Sequence, residues 1–574
     1  MGTISDKLMR IINTKEDIRQ ALISKGYDVP TSIPFKEYAK MISDLPCRVD
    51  SFPDIEGIVA RYSALGLTNE QMAANPVWVD KTGNGHDLQM KNFAWKEGSG
   101  ISDIYPGALV FDGVDDWAGC DNLPLLPKEK GYSIIALRNW ITRYDATQYK
   151  RPLISNLDTN DEGAFLIEYR KDENVNDVTG SYNSFTDVYI DGNNPITWQT
   201  SSSYNGQIIK KGTSKSSNKL CICKTYFGQL SNYANAAIWE IVILDHDATE
   251  EELTKIKDYF VKTYPWLFFD QAWTVTGKTN EDEDRATIAN ITGNDNDLVL
   301  SNFGFAEGSG YGSYFWNFKN FQDWNTVTEV TNSKIVLKGS ASNFWGSQIV
   351  KTVGEELHIV SKVKVTGLTD EMPKLYFGKF DTGDKLQLTN GINNINKIIF
   401  AQYGWYGFGF EEAFESCNVT IEQIPEYEGY LVTDGVDDTG RAVGLTISKD
   451  FTLVGEWILF SKTSVNAGLS IHPQIHIFNQ PEAIKIVFRT AGKTLPVKSL
   501  KAICSDGRCY DENWSELKIN VGEFTDNKGT LFVASNGTNY AQIAFKNLGI
   551  YDNHILSKDD CIKAYNYLQT LKAK

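Results

Sequence analysis

The feature that most constrains this chain is that part of it occurs twice. Residues Asp80 to Gly100 align without a gap on Asn290 to Gly310, at an offset of 210. Thr82, Gly83, Asn84 and Asp87 match Thr292, Gly293, Asn294 and Asp297. Both stretches close on Glu-Gly-Ser-Gly, as Glu97 to Gly100 and Glu307 to Gly310. Just upstream, Thr68-Asn69-Glu70 matches Thr279-Asn280-Glu281. Self-similarity of this kind marks a duplicated structural unit. A second match, Val110 to Asp116 with Val432 to Asp438, has an offset of 322. The jump from 210 to 322 places an insertion in the second copy, long enough to be a small domain.

Each copy also ends alike. Ala237 to Asp245 and Ala544 to Asp552 read as strands, and each is followed by a helix. Thr249 with Glu252 fits a capping box, and Ser557 with Asp560 a shorter version of it. Leu253, Ile256 and Phe260 form one apolar stripe, and Cys561, Ala564 and Leu568 form the other. Hydrophobic residues are 41% of the chain and aromatics 12%, enough to fill cores and to favour strands. Turns rich in Gly, Asn and Asp separate short strands, as a sandwich requires.

The expected fold is therefore mainly β, with two β-sandwich domains of jelly-roll type. Residues 49–269 form the first, and residues 270–314 with 427–574 form the second. Residues 315–426 form an inserted β domain, read from strands such as Leu357 to Val365 and Asn418 to Glu422. Residues 1–48 read as short helices. Thr14 opens one, Gly26 stops it, and Pro30 and Pro34 separate it from Phe35 to Ile42. So short a segment has little core of its own and is expected to dock on a partner.

The net charge of −17 argues against a nucleic-acid groove, which needs clustered Lys and Arg. No apolar run reaches the length of a membrane span, and the N-terminus has no apolar signal core. Gly2 is followed by Asp6 where a myristoylation site needs Ser or Thr. The eight cysteines are scattered without paired CxxC motifs, which speaks for free thiols over a zinc site.

Asp80 to Leu88, followed by Leu109 to Asp116, resembles the concanavalin A-like lectin/glucanase superfamily in its laminin-G-like branch. The second copy departs from that pattern. Asn290 replaces the leading Asp, Asp295 and Asn296 replace Gly-His, and Thr433 replaces Phe, so its binding edge is expected to differ. Thr14 to Gly26 with Pro34 to Ile42 resembles the start of structural and fibre proteins in phages of gut bacteria, crAss-like phages included. The insert, ending Cys417 to Tyr427, resembles carbohydrate-binding-module jelly rolls.

Candidate sites follow from chemistry. Asp112, Asp115 and Asp116, and in the second copy Asp434, Asp437 and Asp438, are clustered acids that can hold calcium at a sandwich rim. The competing reading is an Asp-Gly turn with solvated acids. No other cofactor is expected. Tyr403 and Trp405 alternate with the Tyr406, Phe408 and Phe410 face of an aromatic strand, and with Trp324 and Trp345 they are candidates for contact with a ligand or partner. His472 and His476, four apart around Pro473, share a strand face in this reading and lack a third metal ligand. Glycosidases on such sandwiches need paired carboxylates, and no Glu-x-Asp-x-(x)-Glu run exists. Glu240 and Asp245, five apart, fall on opposite strand faces.

The resemblance implies a non-enzymatic virion appendage subunit, a head or tail fibre made in the host cytoplasm. Residues 1–48 would contact capsid or tail proteins, the chain would self-associate as a homo-oligomer, and the sandwiches would meet host surface glycan. A purely structural appendage, a glycan depolymerase and a secreted glycan-binding protein are the alternatives.

Overall fold

The computed structural model describes Lys15, Arg19 and residues 52–126, 132–141, 150–158, 166–170, 184–185, 196–200, 217–228, 232–306, 308–312, 321–323, 327–331, 333–341, 347–349, 356–379, 385–400, 406–424, 427–459, 467–472, 474–480, 483–497, 499–524, 528–535 and 540–573. The protein is mainly β, built from almost wholly antiparallel sheets that face each other in pairs across apolar cores. Two compact units are distinguished: Met1–Glu56 with Ala248–Tyr264, and Gly57–Asp247 with Pro265–Lys574. The first holds the helix Glu250–Thr263, where Thr249 and Glu252 form the expected capping box. Phe52 meets Tyr259 of that helix edge-on, with ring centroids 4.9 Å apart.

All of the sheets lie in the second unit, and their strand orders expose the duplication. One sheet of the first copy runs Ile196–Thr200, Ser133–Trp140, Asn235–Leu244, Leu109–Asp112, Gly100–Ile101, with Ile58–Ser63 also on Asn235–Leu244. Its counterpart runs Leu500–Cys504, Phe451–Leu459, Ile543–Asp552, Leu431–Val432, Gly310–Tyr311, with Gln271–Thr274 on Ile543–Asp552. The facing sheet of the first copy runs Leu166–Arg170, Lys150–Ser155, Leu220–Ile222, Trp117–Cys120, Leu88–Lys91, Val77–Trp78. That of the second runs Ile475–Gln480, Ala467–His472, Lys528–Val533, Thr439–Thr446, Leu298–Ser301, Thr287–Ile288, and continues past Ile475–Gln480 to Ala483–Phe488 and Ala491–Leu495. Over these strands the order is the same, and the sheets differ at their edges, where Ser184–Phe185 adds in parallel to Leu166–Arg170 in the first copy and Arg508–Asp511 and Glu516–Lys518 continue from Leu500–Cys504 in the second.

The register explains the jump in offset. Gly100 and Ile101 pair with Val110 and Leu109, so a short loop joins those strands. Gly310 and Tyr311 pair with Val432 and Leu431 in the same way, and the insert occupies the corresponding loop. Two five-stranded sheets form within it, closing on a core that includes Phe377, Phe408 and Phe410. The alternation expected for the aromatic strand thus puts Phe408 and Phe410 in the core. Tyr403, Trp405, Trp324 and Trp345 lie outside the described residues.

The repeated motifs hold the copies together locally. Asn69 accepts from Ile101 N–H at 2.7 Å and donates to Ile101 O at 2.9 Å, and Asn280 does the same to Tyr311 at 2.8 and 3.0 Å. This side chain lies where a Cβ on Gly100 or Gly310 would sit, 2.3 and 2.4 Å from the respective Asn Oδ1. Hence Thr-Asn-Glu and Glu-Gly-Ser-Gly recur together. Asp80 Oδ1 accepts from Thr82 N–H, Thr82 Oγ1 and Arg61 N–H at 2.8–3.0 Å. Asn290 Oδ1 accepts from Thr292 N–H, Thr292 Oγ1 and Ala272 N–H at 2.9–3.2 Å. The Asp-to-Asn change in the second copy therefore keeps the three Oδ1 bonds, while the bond from His86 N–H to Asp80 Oδ2 gives way to one donated by Asn290 Nδ2 to Gln271.

Pro265–Leu267 joins the second copy beneath the final helix, Lys558–Thr570, whose Lys563 lies 4.2 Å from the Trp266 ring. Ser557 caps that helix by accepting from Asp560 N–H at 3.1 Å. The same helix reaches the first sandwich. Tyr567 meets Trp239 edge-on at 5.9 Å between centroids, and Asn566 donates to Asp103 O at 3.3 Å. Among the described residues, no helix is long and apolar enough to cross a membrane.

Candidate functional site

The acidic clusters picked out from sequence come together in space. In each triad, Asp112, Asp115 and Asp116 or Asp434, Asp437 and Asp438, one carboxylate oxygen per residue lies within 4.8 Å of the others. Such a group of oxygens suits a hard cation. Much of this capacity is already engaged by the backbone. Asp112 Oδ1 accepts from Val114 N–H at 2.8 Å and, at longer range, from Asp115 and Asp116 N–H at 3.3 and 3.4 Å. Asp116 Oδ2 accepts from Asp112 N–H at 3.1 Å. Asp434 and Asp438 repeat this with Val436 N–H at 2.7 Å and Asp434 N–H at 2.9 Å.

Gly113 and Gly435 turn the chain at φ +77° in both copies. Asn92 and Asn302 each donate to the carbonyl of Asp115 or Asp437 at 3.0 Å. Val114 and Val436 stand exposed at the tips, 70% and 72% accessible, so the turn offers solvent an apolar point above a buried acid. Asp116 and Asp438 are fully buried, and burial pushes both carboxyls up to about 6. Ser309 Oγ donates to Asp438 Oδ1 at 3.0 Å, and Ser99 holds the matching place beside Asp116, where its hydroxyl partly offsets the effect of burial. This arrangement is an Asx turn whose acids hold it closed, the turn reading of the sequence, with calcium as a further occupant that its oxygens allow.

Glu240 has a structural use as well. Its Oε1 lies 2.5 Å from Arg61 Nε, and both side chains are buried.

A second location was only half visible in sequence. His472 and His476 do not share a strand. A tight hairpin puts His472 at the end of Ala467–His472 and His476 in Ile475–Gln480, with their rings 5.4 Å apart. Ser470 is directly opposite His476, and Phe532 is on the other side of Ser470. Continuing across the sheet, Arg441 pairs with Phe532 and Val299 with Arg441. In the other direction Val487 pairs with His476.

One cross-strand row thus reads Val299, Arg441, Phe532, Ser470, His476, Val487, on the sheet face turned away from the core. Leu531, Ile471, Ile477 and Ile486 point the opposite way, into the core. Arg441 lies 5.7 Å from the Phe532 ring centroid. Ser470 is fully buried, and its Oγ and His476 Nδ1 have no hydrogen-bond partner among the described residues. Burial, and then His472, push His476 below the usual imidazole value, so it is neutral at pH 7. The spacing of the histidines was the only sequence signal for this face. The rest depends on strand register.

No protein-family profile matches the chain. No curated protein matches it either. Solved structures give distant likenesses. Trypanosoma rangeli sialidase in complex with sialic acid is 8% identical, covering 50% of this chain and 68% of that one, at a TM-score of 0.21. A second structure of Trypanosoma rangeli sialidase is 9% identical over 50% and 69%, at 0.19. The arabinofuranosyltransferase AftD from Mycobacteria is 8% identical over 82% and 36%, at 0.13. Likeness of this size transfers no chemistry.

Proposed function

We propose that this protein is a virion appendage subunit, a head or tail fibre, whose sandwiches contact host-surface glycan without cleaving it. The observation that carries this reading is the make-up of the outer sheet face of the second sandwich. Its described strand positions include Val299, Arg441, Phe532, Thr530, Ser470, His476, Lys485 and Val487, and no carboxylate among them. A glycosidase needs two carboxyls flanking the bond it breaks. This face offers hydrogen-bonding and aromatic groups without that pair, which suits recognition and not hydrolysis. The duplicated sandwich supports the appendage reading, since two copies in one chain multiply weak contacts through effective concentration.

In this reading residues 1–48 dock on capsid or tail proteins and the chain assembles as a homo-oligomer. The deciding experiment applies the purified full chain to an array of bacterial surface glycans and, in parallel, assays reducing-sugar release from whatever it retains. Retention without release is expected. Sugar release would replace the reading with that of a depolymerase, and no retention on any glycan would leave a purely structural subunit.

A further inference from the structure

We propose that the outer face of the second sandwich, centred on Arg441, Phe532, Ser470 and His476, binds a glycan chain bearing uronic acids. The inference rests on the glycan-contacting reading and goes further, by assigning the site and the charge of the sugar. Three observations lead to it.

The first is charge. In a chain of net charge −17, the described positions of this face carry Arg441, Lys485 and Lys528, and the Arg441 guanidinium lies against the Phe532 ring rather than a carboxylate. A guanidinium left without a carboxylate is a fork-shaped donor set that matches a planar carboxylate in two parallel hydrogen bonds.

The second is polar capacity without partners. Ser470 Oγ and His476 Nδ1 are buried, adjacent across the strands, and unbonded among the described residues. A buried hydroxyl or imidazole without a partner has given up its water with no bond in return, and a ligand hydroxyl in the same place would restore the hydrogen bond. His476 is neutral at pH 7, so one ring nitrogen accepts and the other donates, the pairing that vicinal sugar hydroxyls complement.

The third is the contrast with the first copy. The equivalent row there reads Gln89, Gly119, Cys221, Ser155. Ser155 Oγ donates to Thr225 O at 2.6 Å, so the matching hydroxyl is satisfied. A Cβ on Gly119 would lie 2.8 Å from the Trp117 ring and 3.2 Å from Phe227, so the chain's own aromatics fill the place that Arg441 takes in the second copy. Lys224 lies 4.0 Å from the Trp117 ring centroid and is buried there. One copy has closed this face with its own side chains, and the other has left a cation, an aromatic ring and two unbonded polar groups in line.

From Arg441 to His476 the row crosses three strand gaps, roughly 14 Å at the usual spacing, the reach of a short oligosaccharide and more than one sugar ring needs. The carboxylate of one uronate pairs with Arg441. The ring of that sugar or the next lies along Phe532, and its hydroxyls meet Ser470 and His476.

The test is calorimetric titration of the full chain with oligogalacturonate, oligomannuronate and a hyaluronan oligosaccharide, with methyl-esterified oligogalacturonate as the neutral control. Binding of at least one acidic chain is expected. Esterification should weaken oligogalacturonate if that is the chain bound, and Arg441→Ala should weaken any of the three, each by roughly tenfold or more. Arg441 is exposed, so its loss leaves the fold intact, and Arg441→Lys should restore part of the affinity. Gln89→Ala, on the first copy's face, should change nothing. Failure of all three acidic chains, or equal binding by the Arg441→Ala variant, overturns the proposal. If neutral glycans are retained on the array while uronates fail, this site assignment falls and the glycan-contacting reading stands.

Discussion

Replacing Asp116 by asparagine should stabilise the protein, and the gain should grow with pH. Burial is the main reason that its carboxyl titrates at about 6 in place of the ordinary 3.8, with Asp112 and Asp115 adding repulsion. Because the folded value is raised, the folded chain keeps this proton between about pH 4 and pH 6 while the unfolded chain has lost it, so stability falls as pH rises through that window. The full penalty, reached above the folded value, is about 3 kcal/mol at 1.36 kcal/mol per pH unit. At about pH 5.5 roughly 0.8 kcal/mol of it is relieved.

Asparagine is neutral at every pH. Its Oδ1 can still accept from Asp112 N–H, and its amide can donate toward Ser99. Urea unfolding followed by tryptophan fluorescence, near pH 8 and near pH 5.5, should show the variant ahead of the parent by about 1–3 kcal/mol at the higher pH and by less at the lower. A variant no more stable than the parent near pH 8, or a margin indifferent to pH, would refute the reasoning. The experiment also bears on calcium. If the triad holds the ion, adding calcium should stabilise the parent and reverse the ranking.

Asp438→Asn should behave in the same way in the second copy, since its carboxyl is raised to the same value of about 6; the same urea series checks it. Glu240→Ala, which takes the carboxylate away from the buried Arg61 guanidinium, should destabilise the fold by about 3–5 kcal/mol, read as a lowered denaturation midpoint. In the second copy that buried pair is replaced by Ala272 and Asn547, and both amide atoms of Asn547 are buried without hydrogen bonds. Asn547→Leu should therefore raise stability by about 1–3 kcal/mol, and a lower melting temperature would count against the account. Gly100→Ala, forced against Asn69, should destabilise by at least about 1 kcal/mol, whereas Gly98→Ala meets open space and should show only the cost of its left-handed backbone.

What the sequence revealed was local chemistry repeated. Capping at Thr249 and Ser557, the Asp-Gly turns and the Asn-to-Gly-Ser-Gly pairing each lie within a few residues or recur as a set, so matching residues announce matching geometry. Asn290 in place of Asp80 looked like a changed edge, because charge is what a reader of sequence sees. Three bonds of the turn converge on one oxygen, which an amide also supplies, while the second position accepts from His86 N–H in Asp80 and donates to Gln271 in Asn290. The face around Ser470 was hidden for the opposite reason. Arg441, Ser470, His476 and Phe532 come from four separate stretches and meet only through strand register, and a missing hydrogen bond leaves no mark in a sequence. His472 and His476 lie close, but on two adjacent strands where the spacing predicts one.

The contact between Tyr567 and Trp239 has a consequence for biosynthesis. Trp239 is fully covered in the finished protein, and part of that cover comes from a helix encoded roughly 330 residues later. At about 5–20 residues per second, the first sandwich leaves the ribosome with an indole ring exposed for on the order of half a minute. During that interval the nascent chain presents apolar surface that the helix Lys558–Thr570 later covers in part. A chain truncated before Tyr567 would lack that edge-on contact and leave this part of the Trp239 ring uncovered.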